Sequence, residues 1–159
     1  MSDPRGFLRE YVEPAFQHWA KNPNDKHLAV HAIAQFDVLA EVVAQAILPI
    51  SPAPARREVS AFRNELGSRE PVLAIIRDAN DSHKHGTLLR TNAVNVSQGQ
   101  RPEIVTEVAF FLDYSFLDSP GTPIETLILR LNNGTEMKIG ALLLEAREAW
   151  SRELNRLGL

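Results

Sequence analysis

The sequence predicts an α+β fold, in which four N-terminal helices and one C-terminal helix form a helical bundle and a small antiparallel sheet, at about residues 88–139, is inserted between them. Apolar residues recur every three or four positions up to residue 86, which is the spacing of amphipathic helices. The pattern then changes to alternating β-branched and aromatic residues, which is typical of strands, and a helical stripe returns near the C-terminus. The 159 residues match the size of one domain. We therefore expect residues 1–159 to form a single domain, with a helical part (1–86), a sheet (87–139) and a C-terminal helix (140–158).

The first helix is predicted over residues 4–21. Pro14 should end or kink it, because proline has no backbone N–H to donate. A turn rich in asparagine and proline follows, and either Asn24 or Asp25 can cap the second helix by accepting its first free N–H groups. The second helix is expected to continue to about Leu48, where a proline-rich connector begins.

The third and fourth helices are predicted to meet at a glycine. The third helix should run over residues 55–66 and end at Gly67. Ser68 can cap the fourth helix, which carries Pro71 in its first turn, where the missing N–H costs nothing. Gly86 should end this helix, since glycine readily adopts the left-handed conformation found just past a helix C-terminus.

The second half of the chain predicts four strands and one helix. The strands are expected at Leu88–Val96, Glu103–Leu117, Glu125–Leu131 and Thr135–Ile139. Asn132-Asn133-Gly134 separates the last two, and a two-residue turn of the primed type would put Gly134 and an asparagine at positive φ. The C-terminal helix is predicted from about Gly140 to Leu157, with one apolar stripe formed by Ile139, Leu143, Ala146, Trp150, Leu154 and Leu157.

Composition excludes several classes of protein. The chain contains no cysteine, so disulfide scaffolds, zinc-thiolate sites, iron–sulfur clusters and cysteine nucleophiles are ruled out. A net charge of −3 gives no bulk argument for a polybasic nucleic-acid or membrane binder. The N-terminal residues lack the apolar core of a signal peptide. We therefore expect a cytoplasmic protein without a cofactor.

The longest apolar stretch, Leu28 to Ile50, is long enough to be tested as a membrane span. It carries several polar side chains, among them His31, Asp37 and Glu41. Ionisable groups are costly at the centre of a bilayer. The sequence therefore predicts a buried amphipathic helix and no membrane association. Its wide apolar circumference also predicts a homodimer, with the second and fourth helices as interface candidates.

The densest polar cluster is the ten-residue run from Arg77 to Gly86, at the end of the fourth predicted helix. It lies in a locally basic segment, residues 55–90, which has seven Lys and Arg against five Asp and Glu. Winding the helix at about 100° per residue puts Arg77, Asp81 and Lys84 on one face, with Asn80 beside it. Val72, Ile76, Ala79 and His83 share the apolar face. His83 is therefore expected to point toward the core or toward a partner.

Two elements of this cluster resemble known patterns. Arg77 followed after five residues by His83 resembles the R-x(4–6)-H signature of the HEPN superfamily. The spacing of Asp78, Asn80, Lys84 and His85 is similar to a D-x-N-x-x-x-K-H element of small, uncharacterised bacterial helical proteins. The HEPN resemblance implies a dimeric helical bundle that binds RNA or cleaves it without a metal, possible settings being toxin and phage-defence systems.

On that resemblance, the catalytic residues would be Arg77 and His83, brought together across a dimer interface. His83 would act as the general base on the ribose 2′-hydroxyl, because imidazole titrates near neutral pH. Arg77 would stabilise charge on the phosphate, because its planar fork can bond two oxygens. Asn80, Lys84 and His85 would contact the substrate, and no metal is implied. The two catalytic side chains are about 120° apart on an ideal helix, so one subunit cannot readily aim both at one phosphate.

Two other functions remain open from the sequence. The cluster could be a structural network in a non-catalytic helical dimerisation or interaction protein, with His83 as a satisfied core histidine. Alternatively, His27 and His31 have the four-residue spacing of metal ligands, although a metal site needs three or four converging ligands. The aromatic run at Phe110, Phe111, Tyr114 and Phe116 could stack on bases, but such a run is more typical of a sheet core.

Overall fold

A computed structural model of the chain describes residues 3–48, 56–85, 102–109 and 122–159. These residues form helices and one three-stranded antiparallel sheet, so the predicted α+β class is confirmed. The predicted strand at Leu88–Val96, the proposed end of the fourth helix at Gly86 and the aromatic run from Phe110 to Phe116 lie outside the described residues.

The N-terminal helix continues past Pro14 instead of ending there. Helix α1 (Pro4–Phe7), a π-helical turn (Leu8–Val12) and helix α2 (Glu13–Lys21) follow one another without a break. Pro14 has no N–H for the carbonyl one turn back. In the π-helical turn that precedes Pro14, the Glu13 N–H bonds the Leu8 carbonyl five residues back, instead of four as in an α-helix. The chain therefore stays helical past the proline.

Helix α3 (Lys26–Ile47) is the central helix of the fold. Asp25 caps it, as predicted, by accepting hydrogen bonds from the backbone N–H groups of His27 and Leu28 at 2.8 and 3.0 Å. Four fully or nearly fully buried alanines (Ala29, Ala32, Ala40 and Ala44) allow neighbouring helices to approach closely. The helix contacts α1, α2 and the helices α4, α5 and α6 described below. These contacts explain why so much of its circumference is apolar.

By length and composition alone, α3 could also cross a membrane, although the core helix of a soluble protein passes the same test. The expectation of no membrane association therefore stays a prediction.

Helices α4 (Arg56–Arg69) and α5 (Pro71–His85) are separated by a single non-helical residue, Glu70. The predicted end of the third helix at Gly67 is wrong, because Gly67 lies inside α4. Because glycine has no side chain, α4 and α5 can pack closely at this position: a Cβ on residue 67 would lie only 3.0 Å from the Cβ of Ala74 on α5. Ser68 does not cap α5. Its hydroxyl donates to the Asn64 carbonyl within α4, at 3.0 Å.

The sheet consists of β1 (Glu103–Ala109), β2 (Thr122–Arg130) and β3 (Glu136–Lys138), in the order β1-β2-β3 with both pairs antiparallel. Strand β2 begins three residues earlier than predicted. Only the first seven residues of the strand predicted at Glu103–Leu117 are described. Leu127, Ile128 and Leu129 of β2 are buried, and β2 and β3 both contact α6.

The hairpin between β2 and β3 is one residue longer than the predicted two-residue turn. Gly134 has a φ of +82°, as expected, but no non-glycine residue in the described ranges has a positive φ, so the prediction for an asparagine is wrong. The Leu131 N–H bonds the Thr135 carbonyl at 2.8 Å, which leaves a three-residue loop. Three-residue loops place only their last residue in the left-handed region.

Helix α6 (Ile139–Leu157) closes the bundle against α3 and α5. Its predicted apolar stripe is buried, apart from the half-buried Leu157. Trp150 is 1% exposed and donates from its indole Nε1 to the Phe36 carbonyl of α3 at 3.1 Å. An ion pair joins α6 to α4, since Arg69 donates to both carboxylate oxygens of Glu153 at 3.2 and 3.1 Å. Trp19 and Trp150 are both core residues, as predicted.

Candidate functional site

Residues 77–85 of the predicted cluster form the C-terminal part of α5. Val72, Ile76 and Ala79 are buried, as the helical winding predicts. His83, assigned to the same face, is exposed. Of its two predicted placements, the one in the core is therefore wrong, and the one facing a partner stays a prediction. Lys84 is exposed, and the His85 side chain lies outside the described residues.

Asn80 is almost completely buried, at 2% exposure, although the sequence places it beside the polar face. Its Nδ2 donates to Oδ2 of Asp37 on α3 at 2.7 Å. Asp78 and Ser82, two positions before and after Asn80, are also buried. Part of the polar cluster thus faces other helices, a placement that the polarity of these residues does not indicate.

Arg77 and His83 lie at different surfaces of α5. The half-buried Arg77 donates from Nη1 to Oδ1 of Asn64 on α4 at 2.8 Å. His83 borders a small separate cavity formed with Val30, Ile33, Ala79, Asn80, Pro102 and Leu129. Within one chain, the structure therefore does not bring the two predicted catalytic residues to one pocket, in agreement with their angular separation on the helix.

Arg77 instead opens onto a larger cleft between α3, α4 and α5, with a volume of about 400 Å³. We call it the arginine cleft. Its lining residues are Glu41, Gln45, Arg56, Val59, Ser60, Arg63 and Arg77. Three guanidinium-bearing side chains from two helices therefore line one solvent-accessible space.

Helical spacing explains how these residues meet. Arg56, Ser60 and Arg63 are separated by four and three positions, so they lie along one face of α4. Glu41 and Gln45 are four positions apart on α3 and form the opposite wall. In the sequence, Arg56 and Arg63 are recognisable only as part of a basic segment. Their seven-residue spacing was the signal that could have placed both on one helix face.

A buried carboxylate holds Arg63 at the base of the cleft. Its Nη2 donates to Oδ1 of Asp37, which is 6% exposed, and its Nη1 donates to Oε1 of Glu41 at 3.3 Å. Burial raises the pKa of Asp37, and this effect outweighs the opposing effects of Arg63 and Asn80. Because the Arg63 side chain is only 11% exposed, its position is fixed by these contacts.

The cleft has the chemistry of an anion site. Guanidinium groups present planar arrays of N–H donors that match the oxygens of phosphate. Arg63 and Arg77 are partly withdrawn from water, which strengthens the attraction of a charge for an anion compared with a fully solvated one. A cleft of this volume falls within the usual range for sites that take small ligands.

The alternative metal site has little support in the described residues. His27 and His31 are both exposed on α3. No group of three or more histidine, aspartate or glutamate side chains in the described ranges could hold a metal ion together.

No protein-family model matches the sequence, and neither a curated protein nor a solved structure matches it significantly.

Proposed function

We propose that this protein binds RNA by its phosphate backbone in the arginine cleft. The HEPN-like resemblance implies RNA as the ligand and Arg77 as a phosphate contact, and the cleft adds Arg56 and Arg63. The observation that carries the proposal is the convergence of Arg56, Arg63 and Arg77 on one cleft. A net charge of −3 for the whole chain is compatible with it, because phosphate recognition depends on the local field of the cleft.

RNA cleavage would need a second copy of the chain. Arg77 lines the cleft and would stabilise charge on a phosphate there, but His83 of the same chain borders a different cavity. A homodimer in which one copy supplies His83 to the Arg77 of the other would restore the combination of general base and phosphate-stabilising cation that the resemblance implies. In this proposal, cleavage therefore requires dimerisation.

RNA binding is tested by the fluorescence anisotropy of a labelled single-stranded RNA over a series of salt concentrations. Arg56→Gln removes an exposed cleft charge, and Arg130→Gln removes an exposed charge on β2, outside the cleft. We expect Arg56→Gln to weaken binding and to reduce the slope of log K against log salt by about 0.7, the value for one phosphate contact on a single strand. Equal effects of the two variants would contradict the cleft as the binding site.

Cleavage is tested with the same RNA in EDTA, which silences metal-dependent contaminants. We expect His83→Ala and Arg77→Ala to abolish cleavage, and sedimentation at tens of micromolar to show a dimer. If the protein is monomeric and cleaves no RNA, the ribonuclease proposal is wrong. RNA binding is then tested by the anisotropy experiment alone.

A second candidate function is a non-catalytic interaction protein whose Arg77–His85 cluster stabilises the fold. The burial of Asp78, Asn80 and Ser82 favours it, because buried polar side chains are usually satisfied structural groups. Under this candidate, wild-type protein binds no RNA, and replacements of the buried residues lower the melting temperature without any loss of activity.

A further inference from the structure

We propose that the arginine cleft takes a ribose phosphate unit and that Glu41 accepts a hydrogen bond from the ribose 2′-hydroxyl, so that the cleft selects RNA over DNA. This inference rests on the proposed function and deepens it, because it names the feature of the ligand that the cleft recognises and the residue that recognises it.

The two walls of the cleft differ in chemistry. The wall formed by α4 and by Arg77 of α5 carries three guanidinium groups, which can only donate hydrogen bonds. Two of them already have protein partners: Arg63 donates to Asp37 and Glu41, and Arg77 donates to Asn64. The α3 wall presents the Glu41 carboxylate and the Gln45 amide. A ligand that fits both walls must carry an anionic group and a hydrogen-bond donor. A ribose phosphate within an RNA strand carries both, whereas a deoxyribose phosphate within a DNA strand lacks the 2′-hydroxyl donor.

The donor and acceptor are adjacent at the base of the cleft. Nη1 of Arg63 and Oε1 of Glu41 are 3.3 Å apart. In RNA, the 2′-hydroxyl and the 3′-phosphate are attached to neighbouring carbons of one ribose ring, so they are adjacent in the same way. A phosphate at Arg56 and Arg63 would therefore bring the 2′-hydroxyl of the same nucleotide toward Glu41, whereas the phosphate at Arg77 is the one whose own 2′-hydroxyl would meet His83 of a second copy.

Glu41 has the capacity for this bond. Its side chain is 55% exposed, in contrast to Arg63. A carboxylate has about four lone-pair positions, so the contact with Arg63 does not use up its acceptors. Arg63 also donates to the buried Asp37, so Arg63 keeps its position when Glu41 turns toward a ligand.

The same carboxylate disfavours ligands without the hydroxyl. A negative charge beside the phosphate site repels any bound phosphate. RNA offsets this repulsion with the 2′-hydroxyl bond, and DNA does not. Discrimination of this kind combines an attractive contact for one ligand with an unfavourable one for its competitor.

The test measures the binding of three labelled oligonucleotides of one sequence: RNA, DNA and 2′-O-methyl RNA, in which the 2′ oxygen cannot donate. For wild-type protein we expect RNA to bind about tenfold more tightly than the other two, as expected for one hydrogen bond to a charged group. The methylated RNA probes the hydroxyl without altering the protein. Equal affinity for RNA and methylated RNA would overturn the inference.

Two variants separate hydrogen bonding from charge. Glu41→Ala removes the acceptor and should bring RNA and DNA to equal affinity, whereas Glu41→Gln keeps a neutral acceptor and should retain part of the preference. If Glu41 acted by charge alone, both variants would strengthen RNA and DNA binding by the same factor and leave their ratio unchanged, which would contradict the inference.

The two proposals fail differently. If RNA and DNA bind equally and Arg56→Gln weakens both, RNA binding in the cleft stands and the 2′-hydroxyl contact is overturned. If wild-type protein binds neither oligonucleotide, both proposals are wrong.

Discussion

Asn80 of α5 donates a hydrogen bond to Asp37 of α3 in the interior of the helical bundle, over 2.7 Å. The other oxygen of Asp37 accepts from Arg63 of α4. One carboxylate therefore joins three helices directly behind Arg63, a lining residue of the arginine cleft. This contact links the fold to the candidate site, because it fixes the position of Arg63.

Asn80→Ala should destabilise the protein by about 1–3 kcal/mol, because it leaves one oxygen of a buried carboxylate without its partner. The free energy of unfolding in urea measures the loss. Lys84→Ala, an exposed change on the same helix, is the control and should shift stability by less than about 0.5 kcal/mol. Equal effects of the two variants would show that the Asn80–Asp37 bond contributes nothing.

Glu153→Gln should lower stability at neutral pH and have little effect in acid. Burial acts to raise the pKa of Glu153, but hydrogen bonds from Arg69 and Arg156 outweigh it and hold the pKa below the ordinary value of 4.5. A carboxylate with a lowered pKa in the folded state contributes stability above that ordinary value, and the contribution is lost as the pH falls through the folded-state pKa.

We expect the Glu153→Gln variant to lose about 2 kcal/mol at pH 7 in urea unfolding. The difference from wild type should shrink as the pH is lowered below 4.5. Glu148→Gln, an exposed change on the same helix, is the control. A difference that does not depend on pH would contradict an ionic role for Glu153.

Gly67→Ala should fail to give the stabilisation of about 1 kcal/mol that this change usually brings inside a helix. The added Cβ would lie 3.0 Å from the Cβ of Ala74, so α4 and α5 would have to separate. In an Ala74→Gly background the same change should become stabilising. A double-mutant cycle of melting temperatures measures this coupling, and additive effects would contradict the close contact.

Gly134→Ala should destabilise the protein by about 1 kcal/mol, because residue 134 has a φ of +82° and a Cβ is disfavoured there. Gly134→Asn should cost less, since asparagine tolerates this conformation better. The control is Gly140→Ala in α6, where a Cβ meets only a Trp19 ring carbon at an ordinary 3.4 Å. Thermal unfolding should rank the three variants, and a Gly134→Ala variant as stable as Gly140→Ala would contradict the turn geometry.

His83→Ala should leave stability within about 0.5 kcal/mol of wild type, because the side chain is exposed. Thermal unfolding checks this before any activity is compared. A drop of several degrees would indicate a structural role for His83. Unchanged stability makes a loss of RNA cleavage in the same variant interpretable as a loss of chemistry.

The helical part of the fold could be predicted from local patterns. Asp25 as the cap of α3, the buried stripe of α6 and the two core tryptophans follow from residue type and helical spacing alone. Two errors were local, since a π-helical turn carries the helix past Pro14 and the hairpin loop has three residues instead of two. The error at Gly67 has a long-range cause: glycine suggests a helix end by its own preference, but here it lies inside α4 and makes room for Ala74 of α5.

The candidate site shows the same limit. The helical winding of the sequence already separates Arg77 from His83, and the positions of Arg56 and Arg63 on one face of α4 are implicit in their spacing. The sequence does not indicate that Glu41, fifteen residues before Arg56, faces them across a cleft.

The sequence by itself determined the order of the helices, the Asp25 cap of α3 and the apolar faces, because these depend on interactions between residues a few positions apart. Only the tertiary structure decided that Asp37 and Asn80 meet in the interior, that Arg63 is held between two carboxylates and that His83 lies outside the core. These features depend on how α3, α4 and α5 approach one another. That approach is set by the packing of all three apolar faces together, which no single segment specifies.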